Sequence, residues 1–284
     1  MIDRSHERRG TMQQFRDSWR RTGSMLCVGL DPVLERFPDA LGKDPSALRA
    51  FNREIIQATS EFACCYKPNL GFYLPFGHHG LDALMALRED VPAEIPILLD
   101  AKVGDIDTTS EAYAQAYFDQ WGFDGVTAQP FLGHDSLAPL IARQDRAVFI
   151  LAKTSNPGSG FLQDEQIDGR PVSLRVTEAA VEWNTSGNIG LVAGATYPEQ
   201  LGEIRRVAGD LPILVPGVGA QAGDLQAAVH NGLDSEGYGL LINASRAICY
   251  ASSGSDFAEA AHQAARRLRD EIEEARQQAI LQTV

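Results

Sequence analysis

The sequence predicts a (β/α)8 barrel, a closed sheet of eight parallel strands surrounded by helices. Short apolar runs of strand length alternate along the chain with longer segments of helical periodicity, and Gly, Pro, Asp and Asn separate them. Strict alternation of strands and helices is typical of parallel sheets with right-handed crossovers. Eight such units in roughly 250 residues favour the barrel, and an open doubly wound sheet is the alternative.

The strands are predicted from apolar runs and the helices from apolar residues that recur on one face. The predicted strands cover residues 25–30, 63–68, 96–102, 125–128, 147–153, 188–193, 212–215 and 238–243. The predicted helices lie near residues 46–60, 76–88, 109–120, 134–142, 172–184, 198–207, 222–231 and 256–279. The last helix places apolar residues at helical spacing, so we expect it to pack on the outside of the barrel.

The domain organisation follows from what the chain lacks between these elements. No Pro/Ser-rich linker or low-complexity tract divides it, so we expect residues 25–284 to form a single barrel domain. Residues 1–24 are predicted to be an N-terminal extension that carries a short helix over residues 11–21. The apolar residues of this helix share one face, and we expect it to cover the bottom of the barrel.

Composition excludes several classes of protein. Of the 284 residues, 44% are hydrophobic and 22% are charged, as in an ordinary globular enzyme. The net charge is −13 without a basic cluster, so neither nucleic acid nor a membrane surface is an expected partner. No apolar run is long enough to span a membrane, and the first ten residues lack a signal-peptide core, so we expect a cytoplasmic protein. We interpret the four cysteines, Cys27, Cys64, Cys65 and Cys249, as reduced core thiols.

The stretch LLDAKVGDIDTT, residues 98–109, carries charges where the third predicted strand should be apolar. Residues two apart in a strand point to the same face, so Asp100 and Lys102 share one side of it. A satisfied structural ion pair is one explanation for opposite charges inside a strand. A third charge, Asp105, follows just past the strand. A buried charge without a partner is costly in free energy, so such a residue is usually kept only where function requires it. The stretch is therefore a candidate functional site.

Other polar residues also follow predicted strands at their carboxyl ends, the face on which barrel enzymes carry their active sites. They are Asp31, Lys67, Lys153, Ser155, Gln221 and Arg246. After the fifth strand, residues 154–171 form a polar, Gly-rich connection of a length that is usually functional or mobile. We interpret this segment as a lid over the site.

The seventh and eighth units carry the features of a phosphate site. PGVGAQAGD, residues 216–224, places glycines between a strand and a helix, and glycines allow backbone N–H groups to approach an anion closely. A tight turn would also explain this stretch taken alone. NASR, residues 243–246, follows the next strand and supplies Arg246 as a charged hydrogen-bond donor. Barrels frequently bind phosphate with these two loops, so we expect a phosphate site here.

Six motifs, each after the expected strand, resemble the orotidine 5′-monophosphate decarboxylase family. DAKVGD matches the DxKxxD motif of that family, and VGLDP, YKPNLGFY, TSNPG, PGVGAQ and NASRAI occur in the family order. The resemblance covers nearly the whole chain and is greatest to the longer bacterial members. It implies cofactor-independent decarboxylation of orotidine 5′-monophosphate to UMP in de novo pyrimidine biosynthesis, by a homodimer.

The resemblance also implies roles for individual residues. Lys67, Asp100, Lys102 and Asp105 match an alternating Lys and Asp tetrad, in which Lys102 corresponds to the lysine that protonates carbon 6 of the pyrimidine. In the family the last Asp comes from the neighbouring subunit, so Asp105 and Thr109 would act across the dimer interface. The other matches are Asp31 and Thr109 with the ribose, Ser155 with the pyrimidine, Gln221 and Arg246 with the phosphate, and Pro216, Gly217 and Ser245 among the substrate contacts. DIDTT at residues 105–109 departs from the family pattern because Asp107 adds a negative charge.

Three rival functions remain open at this point. A Mg²⁺-dependent sugar-phosphate decarboxylase or hexulose-phosphate synthase of the same superfamily would use a similar DxKxxD, but a cation at Lys67 opposes a metal. A Schiff-base aldolase would use Lys153, since AKTSNPGSGF resembles the corresponding segment of deoxyribose-phosphate aldolase. The third is a barrel that binds a nucleotide phosphate without catalysis. The sequence carries no pattern for an organic cofactor, and the six histidines form no convincing metal set, so we expect neither.

Overall fold

Residues 11–217 and 222–283 are described by a computed structural model, in which eight parallel strands form the central sheet. The strands in chain order are β1 (Leu26–Leu30), β2 (Cys65–Pro68), β3 (Leu98–Val103), β4 (Gly125–Ala128), β5 (Ala147–Lys153), β6 (Gln166–Ile167), β7 (Arg170–Pro171), β8 (Ile189–Ala193), β9 (Ile213–Val215) and β10 (Leu240–Ala244). The order across the central sheet is β2-β1-β10-β9-β8-β5-β4-β3, and β6 and β7 form a separate hairpin. The bridges Tyr66↔Ile97 and Asn69↔Asp100 join β2 to β3 and close the barrel, which confirms the predicted fold.

Helices follow the strands as the sequence predicted. They are α1 (Thr11–Thr22), α2 (Leu48–Thr59), α3 (Gly77–Asp90), α4 (Asp107–Ala114), α5 (His134–Ile141), α6 (Gly160–Gln163), α7 (Val172–Trp183), α8 (Pro198–Ala208), α9 (Ala222–Gly232), α10 (Arg246–Cys249) and α11 (Phe257–Thr283). A π-helical stretch, Gln115–Gln120, continues α4. The ends of the predicted strands and helices differ from the observed ends by only a few residues. None of the helices in the described ranges combines the length and apolar character needed to cross a bilayer.

The helix α1 packs on the amino-terminal end of the barrel, where the sequence placed it. Phe15 and Trp19 are buried, and the Phe15 ring meets the edge of Phe149 from β5 with 5.5 Å between ring centroids. The guanidinium of Arg16 donates to the backbone carbonyl of Asp210, which precedes β9. These contacts hold α1 against the loops that enter the strands, and leave the carboxyl ends of the strands to the candidate site.

The core also follows the sequence. The predicted face of α11 packs inward, with Phe257, Ala261, Ala264, Ile272 and Ala275 buried. The four cysteines are buried and free, which confirms that they are core thiols. Burial of the Cys64 thiol raises its pKa well above the ordinary value, so this sulfur is held as the unreactive thiol.

The connection after β5 is more regular than the sequence analysis expected. Residues 154–171 contain the short helix α6 and the hairpin of β6 and β7 rather than an irregular loop. Asp168 and Gly169 turn the hairpin with φ values of 53° and 75°. Two successive residues with positive φ are what a two-residue type I′ hairpin turn requires, and Asp-Gly is a common sequence for it. The prediction therefore missed a local signal that the sequence did contain.

Arg205 of α8 ties together the loops at the amino-terminal end of β9 and β10. Its guanidinium donates to the backbone carbonyls of Gly232, Gly209, Leu211 and Gly239 at 2.6 to 3.0 Å. Burial lowers the pKa of Arg205 to about 10, although nearby aspartates oppose this shift. One side chain thus satisfies carbonyl groups from two connections, the one between α8 and β9 and the one between α9 and β10.

We expect Arg205→Ala to lower the free energy of unfolding by about 3 kcal/mol, because several buried carbonyls would lose their donor. Arg206→Ala is the matched control, since Arg206 is the exposed neighbour on the same helix. Its effect should stay within about 0.5 kcal/mol. Urea denaturation followed by circular dichroism measures both values. Equal losses for the two variants would contradict the stabilising role of the Arg205 network.

Candidate active site

The polar residues singled out in the sequence gather at the carboxyl ends of the barrel strands. Asp31 directly follows β1, Lys67 lies in β2, and Asp100 and Lys102 lie in β3. Neighbouring parallel strands end at the same edge of a sheet, so these side chains converge over one mouth of the barrel. Lys67 and Asp100 are buried there, whereas the side chain of Lys102 is 49% exposed.

The carboxylate of Asp100 is the centre of this cluster, because it accepts hydrogen bonds from four donors. The Lys102 ammonium at 2.6 Å and the Thr127 hydroxyl at 2.8 Å donate to Oδ1. The Lys67 ammonium and the Asn69 amide, each at 3.1 Å, donate to Oδ2. An ionised carboxylate offers about four lone-pair sites, so Asp100 is fully engaged. Lys67, Asp100 and Lys102 therefore form a connected array, as the sequence suggested for this part of the tetrad.

The array stabilises charge on both of its buried members. Burial alone would raise the pKa of Asp100, but Lys67 and Lys102 outweigh it and lower the pKa to about 2. Burial alone would lower the pKa of Lys67, but the negative charges of Asp100 and Asp31 reverse this and raise the pKa above its ordinary value. Both groups therefore stay ionised at neutral pH, and each depends on the other for it.

The backbone at Lys102 departs from the regular strand that the sequence predicted. Its φ is 48°, in the left-handed region that residues other than glycine seldom adopt. The pairing of β3 with β4 shifts register between Leu99 and Val103, so the ladder is interrupted at this point. The Lys102 N–H donates instead to the hydroxyl of Thr127 at 3.0 Å. Such strain is typical of functional sites, where the surrounding structure holds a side chain in one direction.

The predicted pyrimidine contact, Ser155, lies where the loops after β5, β8 and β9 meet. A side chain at Gly194 would come within 2.9 Å of the Ser155 backbone, and one at Gly217 within 3.3 Å of its Cβ. Gly217 has a φ of 91°, and the carbonyl of the preceding Pro216 accepts the Ala195 N–H at 3.1 Å. Glycine is therefore required at this meeting point, and Ser155, Pro216 and Gly217 are brought together.

The remaining predicted substrate contacts surround the same mouth. The carboxylate of Asp31 accepts the backbone N–H of Asn69 at 3.2 Å. The Ser245 hydroxyl is buried without a hydrogen-bond partner among the described residues, and its side chain packs against Gly29 of β1. Arg246 is exposed and begins α10. Gln221 lies outside the described residues.

Asp105 and Thr109 are not joined to the array within one chain. The Asp105 carboxylate accepts the N–H of the next residue, Ile106, at 2.8 Å. Among the described residues, no hydrogen bond or ion pair connects it to Lys67 or Lys102. Thr109 is exposed near the beginning of α4. The structure therefore gathers three members of the predicted tetrad and leaves the fourth apart.

Comparison with known proteins decides the family. The model of the orotidine 5′-phosphate decarboxylase / HUMPS family matches residues 24–263. The chain belongs to this family. It is 50% identical over 258 residues to the orotidine 5′-phosphate decarboxylase of Thermomicrobium roseum, which covers 90% of this chain and 92% of that protein. It is 43% identical over 266 residues to the enzyme of the same name from Ralstonia pickettii, covering 93% and 98% of the two chains.

Solved structures of family members share the fold. The OMP decarboxylase of Leishmania donovani superposes with a TM-score of 0.83 and 39% identity, covering 94% of this chain and 99% of that one. The orotidine 5′-phosphate decarboxylase of Pyrococcus horikoshii superposes with a TM-score of 0.63 and 26% identity, covering 87% and 98%. The family resemblance read from the six motifs is therefore confirmed.

Two residues that contact the array, Asn69 and Thr127, were not predicted from the sequence. Asn69 follows Lys67 closely in YKPNLGFY, and its side chain and backbone N–H contact Asp100 and Asp31 respectively. Thr127 lies in the strand GVTA and contacts both Asp100 and the Lys102 backbone. Thr127 is 1% exposed, so a polar residue in an apolar strand was the signal. This signal is weak, since threonine is common in strands without any function.

Lys153 is held in a different way from the lysine that a Schiff-base aldolase needs. Its side chain is buried, its ammonium donates to Asp164 at 2.6 Å, and it lies 4.9 Å from the centre of the Tyr197 ring. Schiff-base chemistry requires an accessible unprotonated amine. Beside it, the Thr154 N–H donates to Gln163, so Lys153 and Thr154 close the base of the loop that carries Ser155.

The donors around Asp100 also bear on metal binding. All of its lone-pair sites face N–H or O–H groups, and two of these donors are the ammonium groups of Lys102 and Lys67. In the two described ranges, no three His, Cys, Asp or Glu side chains cluster in a way that could hold a metal ion. A Mg²⁺ ion at Asp100 would have to displace Lys67.

The low pKa of Asp100 makes stability depend on pH. Its folded-state pKa of about 2 lies below the ordinary value of 3.8, so the ionised carboxylate stabilises the fold above pH 4. This contribution, roughly 2 to 3 kcal/mol, is lost as the pH falls towards 2. The difference in unfolding free energy between wild type and Asp100→Asn should therefore narrow with acidification. Urea denaturation from pH 6 to pH 2.5 measures it, with the exposed Asp82→Asn as control, and a constant difference would contradict the pKa shift.

Proposed function

We propose that this chain catalyses the decarboxylation of orotidine 5′-monophosphate to UMP in pyrimidine biosynthesis, without a cofactor. The observation that carries the proposal is the array of Lys67, Asp100 and Lys102 at the mouth of the barrel, in a member of this family. The relatives reported above bear the name of this enzyme and match most of the chain. The names of these relatives support the proposed substrate, and the geometry of the array supports the proposed decarboxylation.

The proposed reaction requires electrostatic stabilisation of the charge that develops at carbon 6, because the ring offers no electron sink for it. When the bond between carbon 6 and the carboxylate breaks, CO₂ leaves and the electron pair remains in an in-plane orbital that the ring cannot delocalise. A preorganised ammonium close to carbon 6 stabilises this charge. Lys102 fits the role because its ammonium is half exposed at the mouth and held by Asp100. Its proton then forms the new C–H bond, and solvent returns a proton to the amine.

Asp100 and Lys67 prepare Lys102 for this step. The ionised Asp100 accepts a hydrogen bond from the Lys102 ammonium at 2.6 Å and so fixes one direction of that group. Lys67 offsets the charge of Asp100 from the buried side, so the carboxylate remains ionised beside the substrate. The required reduction of the barrier lies in the upper part of the range of about 8 to 23 kcal/mol that enzymes supply.

Binding at the phosphate end would supply part of that energy. We assign this end to Gln221, Ser245, Arg246 and the turn at Pro216 and Gly217. The exposed guanidinium of Arg246 and the unpartnered hydroxyl of Ser245 support the assignment, because both have hydrogen-bond donors to offer. Interactions with a remote, unreacting group can organise and desolvate the reacting centre.

The site is proposed to be completed by a second copy of the chain, which supplies Asp105 and Thr109. Asp105 makes no bond to the array of its own chain in the described structure. Exposed apolar side chains flank this segment, with Ile106 52% and Tyr113 37% exposed. Exposed apolar side chains clustered beside a charged segment are a feature of surfaces that pack against another protein.

The rivals are disfavoured by specific contacts. The Mg²⁺-dependent branch of the superfamily is disfavoured by Lys67 on the Asp100 carboxylate. The aldolase is disfavoured by the burial of Lys153 and by its ion pair with Asp164. A barrel that binds without catalysis is disfavoured by the buried charges of Lys67 and Asp100, which it would have to keep without a chemical use.

The first test follows the loss of ultraviolet absorbance of orotidine 5′-monophosphate. Wild type should turn over this substrate with and without EDTA, whereas Lys102→Ala should lose turnover by at least about 1000-fold because the stabilising charge and the proton donor are both removed. UMP binding should stay within a few-fold. Lys43→Ala, at an exposed lysine far along the chain from the array, is the control. Near-normal turnover by Lys102→Ala would refute the assignment.

The second test concerns the shared site. When inactive Lys102→Ala and inactive Asp105→Asn are mixed in equal amounts and allowed to exchange subunits, half of the dimers are hybrids with one intact site. We expect about a quarter of the wild-type activity. The matched control mixes Lys102→Ala with Asp100→Asn, whose residues belong to the same chain's array, and should restore nothing. Hybrid dimers without activity would refute the contribution of Asp105 across the interface.

A further inference from the structure

Thr127 is a buried residue whose hydroxyl contacts two members of the array, Asp100 and Lys102. It is 1% exposed on β4, its hydroxyl donates to Asp100 Oδ1 at 2.8 Å, and it accepts the backbone N–H of Lys102 at 3.0 Å. We propose that Thr127 is a positioning residue that holds Lys102 in its left-handed backbone conformation and so aims its ammonium into the site. The proposal rests on the proposed function of Lys102.

The direction of both hydrogen bonds is fixed by chemistry. An ionised carboxylate can only accept, so the single hydroxyl hydrogen of Thr127 must point at Asp100. The backbone N–H of Lys102 can only donate, so it meets a lone pair of the same oxygen. One hydroxyl therefore locks the side chain of residue 100 and the backbone of residue 102 in a single arrangement.

The hydroxyl takes the place of a backbone acceptor that the sheet does not provide. Leu98 and Leu99 pair in register with Gly125 and Val126, and pairing resumes only at Val103. Between these points the left-handed turn at Lys102 removes its N–H from the ladder. Without the hydroxyl, this N–H would lose its acceptor, and the strained φ of 48° would lose the contact that holds it.

Thr127 holds Asp100 and Lys102 in place without adding a charge to the array. The charged groups that face Asp100 are Lys67 from β2 and Lys102 from β3, and Asp31 after β1 acts on Lys67. The amide of Asn69 is the other neutral donor. Because Thr127 is neutral, its removal changes the placement of the lysine while the number of charges in the array stays the same.

The test compares Thr127→Val, which keeps the shape and removes the hydroxyl, with Thr127→Ser, which keeps the hydroxyl. We expect Thr127→Val to lower kcat for orotidine 5′-monophosphate by roughly 10- to 100-fold with KM changed less than about 3-fold, because misplacement of a reacting group costs rate. Thr127→Ser should recover most of kcat. Thr177→Val removes an equally buried hydroxyl, one that donates to the Ser173 carbonyl within α7, and should leave kcat unchanged.

A second readout does not depend on turnover. The chain has four lysines, of which Lys67 and Lys153 are buried and Lys43 and Lys102 are exposed or half exposed. Trace acetylation followed by mass spectrometry compares Lys102 with Lys43 in the same molecule. We expect Thr127→Val to raise the relative acetylation of Lys102 several-fold, because its amine is released from Asp100, and Thr127→Ser to keep the wild-type ratio.

The outcomes separate the two proposals. If wild type does not act on orotidine 5′-monophosphate, the proposed function fails, and the acetylation ratio still decides whether Thr127 positions Lys102. Unchanged kcat and an unchanged ratio in a folded Thr127→Val would overturn the positioning role. So would equal losses in Thr127→Val and Thr127→Ser, which would show that packing rather than the hydroxyl matters. Thermal melts of all three variants identify any that fail to fold, and if Thr127→Val does, Thr127→Ala, which also removes the hydroxyl, replaces it in the comparison with Thr127→Ser.

Discussion

One carboxylate, that of Asp100, is the interaction on which the rest of the site depends. It accepts four hydrogen bonds, from residues of β2, the turn after it, β3 and β4. The same residue forms the bridge to Asn69 where β2 meets β3 and the barrel closes. A buried anion is stable only when it is fully paired, so the geometry of closure and the geometry of the lysines are set together. Neither lysine can move without leaving Asp100 short of a donor.

The fold and most of the residues around Asp100 could be predicted from the sequence, for different reasons. The barrel was predictable because alternating apolar runs and amphipathic helices leave few arrangements that bury them. Lys67, Asp100 and Lys102 were visible because charge in an apolar strand is anomalous. The left-handed backbone at Lys102 was not, because it arises from a register shift against β4, which is a tertiary effect. Thr127 was hidden for a related reason, since a β-branched residue suits any strand.

Most of the lysines of this chain lie near the proposed site. Only four of the 25 lysine and arginine residues are lysines, and three of these, Lys67, Lys102 and Lys153, lie near the carboxyl ends of strands. Arg205, by contrast, stabilises the framework through its four backbone acceptors. A guanidinium does not release its proton near neutral pH, whereas an ammonium can both stabilise charge and transfer a proton. The lysine at position 102 is thus the residue type that the proposed protonation requires.

The separation of Asp105 from the array fits the limited number of donors on Lys102. An ammonium has three N–H groups, and one of them is directed at Asp100. The others remain available at the mouth, where the side chain is half exposed. If a partner's Asp105 takes one, as we propose, the last points to the substrate carbon, and the direction of the transferred proton is defined by two carboxylates on different chains. A monomer would hold Lys102 by a single carboxylate and leave it free to rotate about that bond. Dimerisation would then be a requirement of proton delivery, since it removes that freedom before the substrate arrives.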